Sequence, residues 1–331
     1  MATIYAAMRD ALWIGSDRSG TWQGDERLAE HDLECVAVDP TDPDRVFCGT
    51  YDAGLHRSLD GGETWDRVGE DVLEEAVMSL AVDPHDSDVF WAGTEPSRVY
   101  RSTDGGETWS HRDGLVELSS ADEWSFPPRP HTHHVRWIEP DPHVADRLYV
   151  GIEAGALVRT DDAGTTWQDR PKGARLDNHT LATHPEAPDR LYAAAGDGYA
   201  ESFDGGDTWQ YPQEGLEHRY VWGLAVDPAD PETVIVSAAS GARTAHNADR
   251  AAARVYRRTD GDGWTLAMDG LPDPDGLVRP VFDTAAGGEF YALCNHGLFR
   301  TTDAGRSWTR LDVQWPDRFR TQTARGLAVV A

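Results

Sequence analysis

Between residues 76 and 112 the chain alternates short apolar runs with polar clusters that stop them. Val77-Met-Ser-Leu-Ala-Val82 is of strand length, and Asp83-Pro-His-Asp-Ser-Asp88 ends it. Pro fixes φ, and Asp and Ser side chains capture nearby backbone N–H groups, so such a cluster is a turn. Val89-Phe-Trp-Ala-Gly-Thr94 predicts a second strand and Arg98-Val-Tyr-Arg-Ser102 a third. An Asp-Gly-Gly turn then leads into a fourth after Trp109. The unit is a four-stranded antiparallel sheet. Its opening grammar returns at Ala37-Val-Asp-Pro40, at Ala225-Val-Asp-Pro228 and, less regularly, at Ile138-Glu-Pro140.

The closing turn returns more faithfully than any strand. Five copies are close: Ser58-Leu-Asp60-Gly-Gly-Glu-Thr-Trp65, Ser102-Thr-Asp104-Gly-Gly-Glu-Thr-Trp109, Thr160-Asp-Asp162-Ala-Gly-Thr-Thr-Trp167, Ser202-Phe-Asp204-Gly-Gly-Asp-Thr-Trp209 and Thr301-Thr-Asp303-Ala-Gly-Arg-Ser-Trp308. Two are shortened, at Ser16-Asp-Arg-Ser-Gly20-Thr-Trp22 and Thr259-Asp260-Gly-Asp-Gly-Trp264. The closing tryptophans are 43, 44, 58, 42, 55 and 44 residues apart. A period in this range, filled by four-stranded units, predicts an all-β, seven-bladed β-propeller with four-stranded antiparallel blades. Gly326-Leu-Ala-Val-Val330 has no blade of its own, and the first blade lacks strands. The C-terminal strand is therefore expected to join the N-terminal blade, so that residues 3–30 and 321–331 share it and close the ring without free edges. The whole chain, 1–331, is then one propeller domain.

The repeated turn resembles the Asp-box, or BNR repeat, of sialidases, sortilin-type receptors and photosystem II assembly-factor-like propellers. In those families the motif lies on the face away from any active site. The resemblance thus assigns Asp60, Asp104, Asp162, Asp204 and Asp303 a structural role. Local physics agrees: the carboxylate accepts turn N–H groups, Gly supplies φ > 0, and Trp wedges between blades. Sialidase activity itself is not expected, because the N-terminal Phe-Arg-Ile-Pro-type signature is missing; Met8-Arg9-Asp10 matches it poorly.

Charge narrows the partners. The net charge is −28, and Lys172 is the only lysine among 30 basic residues. Self-repulsion of that size is relieved by salt. The expectation is a cytoplasmic monomer of a high-salt organism, haloarchaeal in type. A surface without a basic field excludes nucleic acid and anionic membranes as partners. Cys35, Cys48 and Cys294 lie in apolar runs and read as reduced core thiols. Neither a signal peptide nor an apolar run of membrane-spanning length is visible.

In a repeat protein, function is sought where the repeat breaks. Aligned on the prolines that end the inner strands, one column reads Glu34, Met78, His134, His179 and Trp222, with Arg325 and Arg279 at the less regular strands. The neighbouring column stays small at Ala37, Ala81, Ala182, Ala225 and Ala328. The variable column should open at the channel mouth opposite the Asp-boxes. Two insertions, 116–132 and 241–250, should rise on the same side. The first should be stiffened by Pro127, Pro128 and Pro130.

Glu34, His134 and Glu153 are the candidate catalytic acids and bases. His133, Arg136, His179, Tyr220, Trp222, Arg279, Arg325 and His296 are candidate ligand contacts, with Trp124 as a further aromatic. Arg219 and Arg243 fall near the same face; Glu74, Glu75, Glu95 and Asp197 are alternative ion-pair partners for the arginines. His131, His133, His134 and His179, completed by Glu34 or Glu153, could hold a divalent metal, the one candidate cofactor. Three functions fit: a binding or scaffolding propeller for a small anionic or polyhydroxylated, carbohydrate-like ligand; a glycoside hydrolase-like or metal-dependent hydrolase or lyase using the same pocket; and an assembly factor with a protein partner.

Overall fold

In the computed structural model, which describes residues 2–18, 21–259 and 262–330, seven antiparallel sheets stand around one central channel. The innermost strands are Gly326–Val330, Leu33–Val38, Ala76–Val82, Val135–Pro140, Asn178–Ala182, Tyr220–Asp227 and Val281–Ala286. Each abuts the inner strands of its two neighbours, and the ring closes. Blades 1 to 7 are numbered from the N-terminus. In blade 1 the C-terminal strand pairs with Thr3–Ala7, placing Val330 opposite Thr3 and Gly326 opposite Ala7. The chain is thus a seven-bladed propeller closed as its two ends predict. Five blades have four full strands. In blades 4 and 5 the fourth strand is reduced to single bridges, Arg159 to Gln168 and Glu201 to Gln210.

The five close Asp-boxes share one hydrogen-bond pattern. In the first, Asp60 accepts from Ser58 Oγ (2.7 Å), Thr64 N (2.8 Å) and Thr64 Oγ1 (2.6 Å), while Gly62 N donates to Ser58 Oγ (2.8 Å). Asp104, Asp162, Asp204 and Asp303 repeat it. These bonds stabilise the carboxylates: those from Thr64 bring Asp60 down to about 2. The aspartates are turn builders, as the resemblance implies. The two shortened boxes include residues 19–20 and 260–261, which lie outside the described residues.

Box tryptophans carry the packing between blades. Trp109 of blade 3 lies edge-on to Phe47 of blade 2 and shares its cluster with Leu55, Val77 and Phe90. Trp209 reaches Tyr149 and Leu157 of blade 4, and Trp308 reaches Ile235 and Val255 of blade 6. Arginines reinforce the same seams. Arg57 donates to Gly105 O (3.1 Å), Arg159 to Gly205 O (2.7 Å) and Arg257 to Ala304 O (2.5 Å), each in the next blade's box. The three cysteines are free thiols. Among the described residues no helix is long and apolar enough to cross a membrane.

Candidate functional site at the channel mouth

Five consecutive inner strands carry a β-bulge at the same height. Pairing with the second strand slips at Glu34, Met78, Arg136, His179 and the Trp222-Gly223 pair. A bulge adds one residue without a ladder partner and re-aims its side chain. Here hydroxyls fix the bulges against the next blade: Ser79 Oγ donates to Val135 O (2.9 Å), and Thr180 Oγ1 to Trp222 O (2.8 Å).

This register corrects one assignment. In blade 4 the strand is stopped by Asp141-Pro142, not by Pro140. Asp141 Oδ1 accepts from His143 N (2.8 Å) and Val144 N (3.1 Å), as Asp39 Oδ1 does from Thr41 N (2.7 Å) and Asp42 N (3.2 Å) in blade 2. Counting back from Pro142 puts Arg136 in the ring. His134 stands two residues earlier, in an upper tier with Asp177 and Tyr220.

Above the bulges lies a cavity of about 750 Å³, lined by Glu34, Arg136, Glu153, Asp177, Tyr220 and Trp222 among others. Both insertions wall it, as their placement predicts. The first contributes Phe126, Pro127, Pro128 and Arg129. The second folds into the short helix Ala242–His246 and contributes Ala242, Arg243, His246 and Asn247.

Two electrostatic systems face each other across this space. On one side, Arg129 grips Glu95 with two hydrogen bonds (2.9 and 2.5 Å). His134 Nδ1 lies 3.1 Å from Glu95 Oε2, and its Nε2 is 2.9 Å from Glu153 Oε2. Burial opposes protonation of His134, but the two carboxylates outweigh it and raise its pKa. Burial likewise opposes the charge on Glu95 and Glu153. Hydrogen bonding to His134 prevails, bringing Glu95 to about 2 and Glu153 below the ordinary carboxylate range. Arg129, Glu95, His134 and Glu153 thus form a chain in which each carboxylate favours the charge of its basic neighbours.

On the other side, Glu34 accepts from both Arg325 NH1 (3.1 Å) and Arg136 NH1 (3.5 Å). Arg279 is fully buried, its guanidinium 3.8 Å from the Trp222 ring centroid. NH1 donates to Ala324 O (3.0 Å) and Nε to His246 Nδ1 (3.3 Å); NH2 makes no hydrogen bond among the described residues. Burial, aided by the Arg136 and Arg325 charges, holds the Arg279 pKa well below its usual range. Because His246 Nδ1 accepts, the ring proton of this neutral imidazole is on Nε2, which faces Tyr220 Oη at 3.1 Å. Tyr220 then accepts from His246, and its own hydroxyl proton is free for a ligand. Arg136 also lies over Trp222, at 5.1 Å, and His179 stacks on the same indole at 4.1 Å.

Some candidates fall elsewhere. His131 is exposed. His133 packs edge-on to Trp124 at 5.6 Å, so neither joins His134 and His179, and the predicted histidine cluster does not form. His296 Nε2 donates to Gly276 O (3.3 Å), away from the cavity, because its turn sits outside the ring. Trp124 is core, its Nε1 bonded to Ser120 Oγ (2.9 Å), and Arg219 is exposed outside the cavity. Arg279 underlies Trp222 instead of lining the cavity. The alternative acidic partners are used by other arginines: Glu74 by Arg98, Glu95 by Arg129 and Asp197 by Arg175. The sequence reading missed Asp177, Arg129 and His246 as site residues. Asp177 was findable two residues before His179; the other two lay within the insertions already marked.

Residues 100–111 match the family described as BNR/Asp-box repeat. No curated protein matches the chain. Among solved structures it is similar to the GH74 xyloglucanase from Xanthomonas campestris (17% identity, TM-score 0.67, 93% of this chain and 52% of that one). It is similar too to an ancestral GH74 enzyme (17%, TM-score 0.63, 90% and 38%) and to YCF48 bound to D1 peptide (16%, TM-score 0.61, 96% and 97%). The chain is a seven-bladed β-propeller, and one of its turns matches the BNR/Asp-box repeat. It spans 38% and 52% of the two glycoside hydrolases, and identities this low speak for the fold alone.

Proposed function

We propose that the channel mouth binds a small anion bearing hydroxyl groups, of the uronate or sugar-phosphate class. One observation carries this reading. In a chain of net charge −28, Arg136 and Arg325 converge on a single carboxylate, Glu34, with Arg279 close enough to disfavour its own charge. Arg325 also reaches Asp32 at 4.0 Å, so three guanidiniums stand against two carboxylates; one positive charge is left over, and a planar anion satisfies it with paired hydrogen bonds. Tyr220, half-buried and stacked beside Trp222 at 6.3 Å, lines the cavity, and its hydroxyl proton offers a donor.

Titration followed by tryptophan fluorescence at constant ionic strength tests it. Glucuronate or glucose 6-phosphate should saturate the site where neutral glucose does not, and Arg136→Ala should remove the response. Failure of every uronate and sugar phosphate to saturate overturns the reading. A second reading, hydrolysis or elimination in the same cavity, draws on the His134–Glu153 pair as acid and base; release of a chromophore from an aryl glucuronide tests it. A protein-partner reading would draw on the apolar side chains that share the mouth, Met78, Phe126, Pro127 and Pro128. The acid-rich surface supports a high-salt cytoplasm as the setting and a monomer as the working form.

A further inference from the structure

One wall of the cavity is not explained by an anion. Glu153 and Asp177 line it, and His179 lies behind them. One ligand atom from each, two carboxylate oxygens and an imidazole nitrogen, lie within 4.8 Å of one another. His179 is fully buried, and its Nδ1 is 2.7 Å from Val221 O. A carbonyl can only accept, so Nδ1 carries the proton and Nε2 presents a lone pair. That Nε2 makes no hydrogen bond among the described residues and lies 3.6 Å from Asp177 Oδ1. A buried lone pair directed at a carboxylate is repulsive unless a proton or a metal cation stands between them, and 3.6 Å is long for a proton-bridged pair.

We infer that Glu153, Asp177 and His179 form a divalent-cation site whose remaining coordination positions open into the cavity. Each ligand has the support that metal ligands receive from their surroundings. The Val221 carbonyl fixes the His179 tautomer. Asp177 Oδ1 accepts from Ala154 N (2.9 Å). Glu153 Oε2 is held by His134, itself anchored through Glu95 to Arg129, which leaves Oε1 to the ion. Ligand bonds of about 2.0–2.2 Å put neighbouring donor atoms about 3.4 Å apart in a tetrahedral site. The cluster therefore contracts by no more than about 1.4 Å on binding. Two carboxylates with one imidazole suit Mn²⁺ or Zn²⁺ better than thiophilic metals. The ion and the arginine pair would then face each other across one cavity, and a bound anion could meet both.

The site uses neither Arg136, Arg279 nor Arg325, so it stands or falls apart from the anion reading. The test is calorimetric titration of the EDTA-treated full-length protein with MnCl₂ in molar KCl, where weak binding to surface carboxylates is suppressed. One equivalent should bind. His179→Gln and Asp177→Asn should each weaken binding by at least about tenfold, whereas His131→Ala should leave it unchanged. Absence of a stoichiometric site, or full binding in both variants, overturns the inference. If the variants do not fold, pulsed EPR of the wild-type Mn²⁺ complex decides: one directly bound imidazole nitrogen is expected, and no nitrogen coupling refutes it.

Discussion

Replacing Glu34 by Gln should weaken the fold and tighten the ligand at once. Glu34 is 5% exposed and faces two guanidiniums at 3.1 and 3.5 Å. Removing one partner from a buried ion cluster costs about 3–5 kcal/mol, because the charges left behind are uncompensated. The Arg325 side chain is 20% exposed and so partly solvated, which places the loss near the lower end, about 3 kcal/mol. The same carboxylate repels an incoming anion. For unit charges about 6 Å apart at an effective dielectric of about 20, the repulsion is about 3 kcal/mol. Molar salt, with a Debye length near 3 Å, screens much of this in a cavity open to solvent. About 1.4 kcal/mol, a tenfold gain in affinity, is a reasonable remainder. Denaturant unfolding measures the first effect and fluorescence titration with glucuronate the second. Opposite signs are the signature. A variant that loses both stability and affinity would show that Glu34 contacts the ligand directly, and the arginine-excess argument would fail.

Other outcomes follow from the same structure. Asp104→Ala removes three local hydrogen bonds, from Ser102 Oγ, Thr108 N and Thr108 Oγ1; it should cost about 1–3 kcal/mol of stability and leave glucuronate affinity unchanged. Trp109→Ala, emptying a seam between blades 2 and 3, should cost about 3–5 kcal/mol by the same unfolding assay; a loss below about 1 kcal/mol would contradict the wedge role. Burial pushes Asp283 up to about 7, against hydrogen bonds from Thr284 N and Val329 N. The folded state then keeps a proton that the unfolded chain has released, so stability falls as pH rises from about 4 to about 7. Unfolding of Asp283→Asn should lack that slope, and equal slopes would refute it. With a net charge of −28, circular dichroism should show unfolding when salt is dialysed away, and cooperative stability in dilute buffer would defeat the high-salt argument.

The fold was legible because its determinants are local and repeated. An Asp-box needs only a hydroxyl, a carboxylate, a glycine and a tryptophan within eight positions, and each partner is a near neighbour in sequence. Blade 4 shows where that legibility stops. Pro140 and Pro142 both qualify as strand stops by residue type; only the Asp141 carboxylate, capping His143 N and Val144 N, selects the second. A two-residue error preserves the strand face, so His134 still came out near the site while Arg136 lost its place in the ring. The functional pairings are less accessible still. Glu34 meets Arg325 across 291 positions and Arg136 across 102, and no periodicity within a blade encodes which blades become neighbours in charge. His179 makes the same point for chemistry. Its residue type suggested a ligand, but its lone pair is set by the Val221 carbonyl 42 residues on, in the next blade. The repeat therefore specifies a rigid ring, and the bulges mark where side chains turn inward. What those side chains do is decided between blades, by contacts that the repeat leaves free to vary.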